Sequence, residues 1–258
     1  MALFDRTAKH LARGPAVLFR ADPDEALSEA LRRYDPALRV KSDSVVFRNG
    51  VHLNGPVAVT PEIARKAGLP DGMTTGYYAS IIETGTRGSR PDDLKRQDAE
   101  RLVRGLAARL GGTVHDERPP MSLDLSASVY SARALPAGQV TGVLQPYVDT
   151  GELVVLEQER VPGAYFLVTE RDPLFFVVYY PPRLSGPGAA LPPPAVGDLA
   201  GGELSRWDLE TKDPVAGAPR ETCLKVGEAA LALARAAGGL VVDAYGFPVD
   251  HPGDLLPR

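Results

Sequence analysis

Apolar positions along the chain fall into helical and strand rhythms, and the order of those rhythms repeats. Leu3, Phe4, Ala8 and Leu11 lie at helical spacing, predicting a short helix or tail over 1–14 that Pro15 ends. Ala16 to Phe19 (AVLF) is long enough for a buried strand. Asp22-Pro23-Asp24-Glu25 then opens a helix, with Asp22 as N-cap and Pro23 in the first turn. Its apolar stripe is Leu27, Ala30, Leu31 and Tyr34, and Asp35-Pro36 stops it. Leu38 to Val40, Ser44 to Phe47, Val51 to Leu53 and Val57 to Val59 read as strands, with a hairpin turn at Asn49-Gly50 because both residues accept positive φ. Pro61 to Ala67 predicts a brief helix, and Gly76 to Thr84 (GYYASIIET) a further strand.

The next stretch occurs twice. Ala99 to Asp116 (AERLVRGLAARLGGTVHD) and Val226 to Asp243 (VGEAALALARAAGGLVVD) are amphipathic helices that stop at Gly-Gly and enter a short apolar segment ending in Asp. Glu83 and Glu210, Gly111 and Gly238, and Asp116 and Asp243 all stand 127 residues apart. The second half also repeats the earlier order. Ala127 to Ala132 is strand-like, and Pro136 to Val148 carries Val140, Val143, Leu144 and Tyr147, offset by 113 from the stripe of the first helix. Glu152 to Glu159, Ala164 to Glu170, Leu174 to Tyr180 and Leu204 to Thr211 are strand candidates. The Pro- and Gly-rich stretch 181–202 accounts for the rise in offset and reads as a solvated excursion without apolar period.

Each half thus reads β-α-β-β-(β)-α-β. The expected fold class is α+β, a tandem duplication of a ferredoxin-like (split βαβ) unit with antiparallel sheets and helices on one face. The expected units are 15–120 and 121–258, the second carrying the insertion 181–202.

Composition narrows the function classes. The 258 residues are 44% hydrophobic and 24% charged, ordinary for a globular chain with a sizeable core. A net charge of −4 argues against attraction to nucleic acid. No apolar run reaches the length of a membrane span, and no signal-peptide pattern opens the chain, so a cytoplasmic protein is expected. The single cysteine, Cys223, excludes an internal disulfide. Abundant Ala, Gly and Pro, with Arg well above Lys, suggest a bacterial genome rich in G and C.

Candidate chemistry is sparse. The four histidines lack a second His or Cys at metal-ligand spacing, and no phosphate-binding glycine motif follows a strand, so neither metal nor cofactor is expected. His115 stands beside Asp116 on the last strand of the first half. Neighbours on a strand face opposite ways, so His115 can share a site with Glu117 but not easily with Asp116. The repeated acids Glu83, Glu210, Asp116 and Asp243 could pair for acid–base work, or the strand-terminal Asp could accept backbone N–H bonds in a turn. Cys223 near a helix start could be reactive or simply pack. Trp207, Tyr179 and Tyr180 flank the Pro-rich stretch, and the features the two halves do not share are His115, Trp207 and that stretch.

The segment LAARLGGTVHDERPPMS resembles the end of the C-terminal domain of ZipA, the family of bacterial division proteins that bind the tail of FtsZ. The likeness spans Ala99 to Ser122, with an echo over Ala229 to Asp243. It implies a split βαβ fold and a sheet face able to bind a peptide. The leading reading is therefore a non-enzymatic binding or adaptor protein that docks a protein or peptide partner on a sheet face or edge. One alternative is a small-molecule binder or enzyme with an apolar pocket between the units, lined by Tyr77, Tyr78, Phe175, Phe176, Tyr179, Tyr180 and Trp207. Another is an inhibitor or immunity protein.

Overall fold

A computed structural model of the chain describes residues 2–81, 92–117, 124–148, 151–169, 176–182, 192–197, 199, 203–214 and 218–256. The chain divides into two compact units, Met1–Met121 and Ser122–Pro257. Each is a mixed helix and strand unit built on a six-stranded antiparallel sheet.

The first unit runs α1 (Ala2–Arg13), β1 (Ala16–Phe19), α2 (Asp24–Tyr34), β2 (Arg39–Val40), β3 (Ser44–Val46), β4 (Val51–Ala58), α3 (Pro61–Ala67), β5 (Thr75–Ile81), α4 (Asp92–Leu110) and β6 (Thr113–His115). Its sheet order is β2-β3-β4-β5-β1-β6. The second runs β7 (Asp124–Ser131), α5 (Ala137–Leu144), β8 (Leu153–Glu157), β9 (Tyr165–Thr169), β10 (Phe176–Tyr180), β11 (Ser205–Pro214), α6 (Arg220–Ala237) and β12 (Leu240–Asp243). Its sheet order is β8-β9-β10-β11-β7-β12, the same path strand for strand.

In each unit the first strand lies between the two strands joined by the second long helix, and that helix crosses over it. Val17 of β1 stands opposite Tyr77 and Val114. Val129 of β7 stands opposite Trp207 and Val241. In the second unit α5 and α6 bury Leu144, Cys223, Val226, Ala230 and Leu233 against Ala127, Val129, Leu167, Val177, Trp207 and Leu209. The first Gly of each pair closes the preceding helix in the left-handed conformation, at φ 68° for Gly111 and 66° for Gly238.

Several expectations shift. Helices on one face only does not hold in the first unit. There α1 and α3 close the second face, burying Ala8, Leu11, Ile63 and Ala67 with Ala16, Leu18 and Val59. That is why β1 is buried along its whole length. The alternating signal of Val57 to Val59 belongs to the same strand as Val51 to Leu53, with a register shift between Asn54 and Val57. Gly55 makes the shift possible, since a Cβ there would sit 2.7 Å from the Tyr77 ring. Asp22 is not the N-cap of α2. That place falls to Pro23, while the Asp22 carboxylate accepts from the Asp24 N–H and from the Tyr77 hydroxyl. The helix from Pro136 ends at Leu144 and tightens into a 3₁₀ turn over Gln145–Tyr147. Pro146 has no N–H to extend the α-helical ladder.

Candidate functional site

His115 ends β6, half-buried, with its backbone paired to Ala16. It lines an open cleft of about 610 Å³ in the first unit, with Glu117, Lys9, Arg13 and Lys66 and an apolar floor of Ala8, Ala12 and Ala67. The strand alternation that separates His115 from Asp116 thus brings His115 and Glu117 to one cavity. Arg13 and Lys66 stand in the last turns of α1 and α3, where cations complement the exposed carbonyls of a helix end, and Lys66 pairs with Glu62 at 3.0 Å. The cleft is therefore net positive, with Lys9, Arg13 and Lys66 against Glu117, and Arg13 and Lys66 also serve the helix ends.

Asp243 is buried at the end of β12, and its Oδ1 accepts from the N–H groups of Tyr245 (3.0 Å) and Phe247 (2.8 Å). It shapes the turn that folds Phe247–Val249 back along β12, where Val249 N–H donates to the Val241 carbonyl. Glu83 lies outside the described residues. The equivalence of Glu83 with Glu210 does not hold in the pairing register. With Val114 matched to Val241, Val17 answers to Val129 and Tyr77 to Trp207, which makes Ser80 the counterpart of Glu210. Constant numbering offset misled here because the two connections from the central hairpin strand into the long helix differ in length.

Trp207 and Tyr179 belong to the core. Trp207 is fully buried, its indole N–H donates to the Tyr165 hydroxyl at 3.1 Å, and Tyr179 lies between the Tyr165 and Trp207 rings. Burial pushes the Tyr165 phenol up to about 12, opposed by its bond from Trp207. Trp207 is also not peculiar to one unit, since Tyr77 holds the matching position. Tyr180, one residue on, faces the other way. Tyr179 and Trp207 are thus side chains of the second unit's own core. Phe176 and Tyr180 share one face of β10 while Tyr179 takes the other, and Phe175 lies outside the described residues. Cys223 is fully buried in the α6 core and reads as packing.

The stretch 181–202 is not simply a solvated excursion. Among its described residues, Ala195 and Val196 pack on Tyr130 and Val242, covering the β7–β12 end of the second face of that sheet. Beside them runs a charged row that the sequence reading missed. The Arg206 guanidinium makes a two-pronged pair with buried Asp208, 2.6 Å at each contact, and lies 5.7 and 5.2 Å from the centres of the Tyr130 and Tyr180 rings. The Ser128 hydroxyl donates to Asp208 at 2.6 Å. Burial works against the Arg206 charge, but the Asp208 carboxylate outweighs it and holds the guanidinium protonated. Burial, then Asp208, raises the Tyr180 phenol. Glu210 stands on the same face, two residues further.

Beyond the charged row the same face turns apolar. Val154 and Leu156 on β8 are exposed, and Phe166, Val168 and Phe176 on β9 and β10 are half-buried. The registers of the two sheets give each a counterpart in the first unit. Val154 answers to Arg39, Phe166 to Ser44, Phe176 to His52 and Val178 to Asn54. Three polar positions of the first unit, Arg39, Ser44 and His52, are thus apolar in the strip of the second, while Val168 answers to Val46 and the counterpart of Asn54, Val178, is buried. The signal was present in the chain: LVVLE, YFLVT and FVVYY are apolar on both phases of the alternation, as strands with two dry faces are.

Among the described residues, no group of three or more His, Cys, Asp or Glu is placed to hold a metal ion, and no helix is long and apolar enough to cross a membrane. Comparison with family models, with curated proteins and with solved structures finds no match to the chain.

Proposed function

We propose that the chain is a non-enzymatic binding or adaptor protein of the bacterial cytoplasm, made of two copies of one extended ferredoxin-like unit. In this reading the second unit docks a protein partner on the apolar half of its sheet face. The shared strand path and the helix–Gly-Gly–strand closure support a duplication, each copy a split βαβ unit widened by two strands. The observation that carries the docking role is the exchange of Arg39, Ser44 and His52 for Val154, Phe166 and Phe176. A fold needs neither choice, since the first unit is built with the polar set. A contiguous apolar strip rimmed by polar groups is the usual mark of a partner surface. The likeness of Ala99 to Ser122 to the FtsZ-binding domain of ZipA agrees with a peptide-docking sheet face.

The test is to graft the first unit's residues, Phe166→Ser with Phe176→His, after identifying the partner by a photo-crosslinking residue at position 156. Loss of that partner with an unchanged unfolding midpoint supports docking. Unchanged affinity, or turnover of a small molecule with no protein partner, rejects it. A small-molecule site is the second reading, and the meeting of His115 with Glu117 in the 610 Å³ cleft is what favours it.

A further inference from the structure

The two sheets present four edges, and they are treated differently. In the first unit β2 has two residues and β6 three, too short to template another chain. In the second, the outer side of β12 is occupied by the returning segment at Val242 and Pro248. β8 is the exception: among the described residues it pairs only with β9, it spans five residues, and all but Leu153 are exposed. Val154, Val155 and Leu156 are 40%, 39% and 49% exposed, while unprotected edges normally carry charge or proline in such positions.

We propose that β8 pairs antiparallel with β8 of a second copy of this chain, about a twofold axis at Val155. That register is self-complementary. Val155 meets its own copy, Val154 meets Leu156, Leu153 meets Glu157 and Glu152 meets Gln158. Every exposed apolar side chain thus faces an apolar one, and no like charges stand opposite. A slip of one residue sets Glu152 against Glu157 or Glu159, and a slip of two sets Leu156 against Glu152 or Val155 against Glu157, so charge and apolar matching together select the axis at Val155. Directly opposed residues share a face, so Val154 and Leu156 of one copy extend the strip formed by Phe166, Val168 and Phe176 into the other copy. One such strand buries far less than the roughly 800 Å² per partner of a stable complex. The association is therefore concentration-dependent.

The experiment is sedimentation velocity from about 1 to about 300 µM, the range that brackets such weak contacts. The average mass is expected to climb from 27.5 kDa toward twice that value. Val155→Lys, at a site already exposed, keeps the circular dichroism spectrum and stays at the monomer mass. Val155→Cys forms a disulfide-linked dimer on oxidation, and Val154→Cys alone does not, because the axis sets it opposite Leu156. A wild-type mass that never rises, a Val155→Lys variant that still associates, or equal cross-linking at both positions overturns the proposal. Because the docking face is read out separately by the Phe166 and Phe176 variants, a monomeric chain that still loses its partner on that graft refutes the pairing alone.

Discussion

The two glycines that close each long helix do different work, and one pair of substitutions separates the roles. Gly238 holds φ 66° with nothing within 4 Å of where a Cβ would be. Alanine there only forces an L-residue into the left-handed region, at about 1 kcal/mol. Gly239 has an ordinary φ but no room. A Cβ would overlap the Tyr130 carbonyl oxygen and stand 3.0 Å from Ser131 Cβ. Neither neighbour can yield. Tyr130 is paired to Leu240, and the Ser131 hydroxyl donates to the Ala237 carbonyl at 2.7 Å, tying the end of α6 to the end of β7. Gly239→Ala must therefore push helix and strand apart, and overpacking of that kind costs about 3 kcal/mol. Urea unfolding followed by fluorescence of Trp207, the single tryptophan and buried in the same unit, reads both variants. The expected order is wild type, then Gly238→Ala, then Gly239→Ala with a clearly lower midpoint. Equal losses, or a larger loss at Gly238, would refute the claim that close approach rather than backbone conformation fixes the second glycine.

Asp208→Asn leaves the Arg206 guanidinium on the sheet without its carboxylate, and about 3 kcal/mol of stability is expected to go with it by the same urea assay. Replacing both partners, Arg206→Met with Asp208→Leu, is expected to be milder than the single change, and a harsher double variant would contradict the pairing. Asp243→Ala removes the acceptor for the Tyr245 and Phe247 N–H groups and should cost about 1–2 kcal/mol, with faster amide exchange at those two positions. The Tyr165 phenol, pushed up to about 12 from its usual value near 10, binds its proton more tightly folded than unfolded. Its contribution is whole below about pH 10 and is lost as pH rises toward 12, so Tyr165→Phe should flatten the alkaline fall in unfolding midpoint across that window.

The elements were legible because their signals are local. Asn49-Gly50, Gly111-Gly112 and the stripe Leu27, Ala30, Leu31, Tyr34 each act within a few residues. Gly50 indeed turns at φ 82°, and the stripe is buried. What stayed hidden depends on pairing across the sheet. Asp35 looked like a helix stop, yet it is buried and holds Arg48, thirteen residues on, through the backbone N–H at 2.7 Å and the guanidinium at 2.8 Å. Trp207 looked like a binding residue because it is rare and flanks an irregular stretch. Only the register with Val129 shows it as the counterpart of a core tyrosine. His115 with Glu117 was readable, since two residues on one strand phase need no long-range knowledge. The Arg206–Asp208 pair was not, because its meaning comes from Tyr130, Tyr180 and Ser128 on neighbouring strands.

Gly76 and Arg206 occupy the same place in their sheets, and the difference has a reach beyond either unit. A Cβ on Gly76 would stand 3.1 Å from Leu11 and Leu18, so α1 rests where a side chain is missing. At Arg206 the equivalent hollow is filled by a guanidinium clamped between two rings. A helix laid across the middle of that sheet would have to lift the arginine away from its carboxylate. The docking proposed above would accordingly fall on the outer strands, where valine and phenylalanine replace arginine and serine. The residue at this one place thus separates a sheet whose centre seats the chain's own α1 from a sheet whose centre is closed by an ion pair.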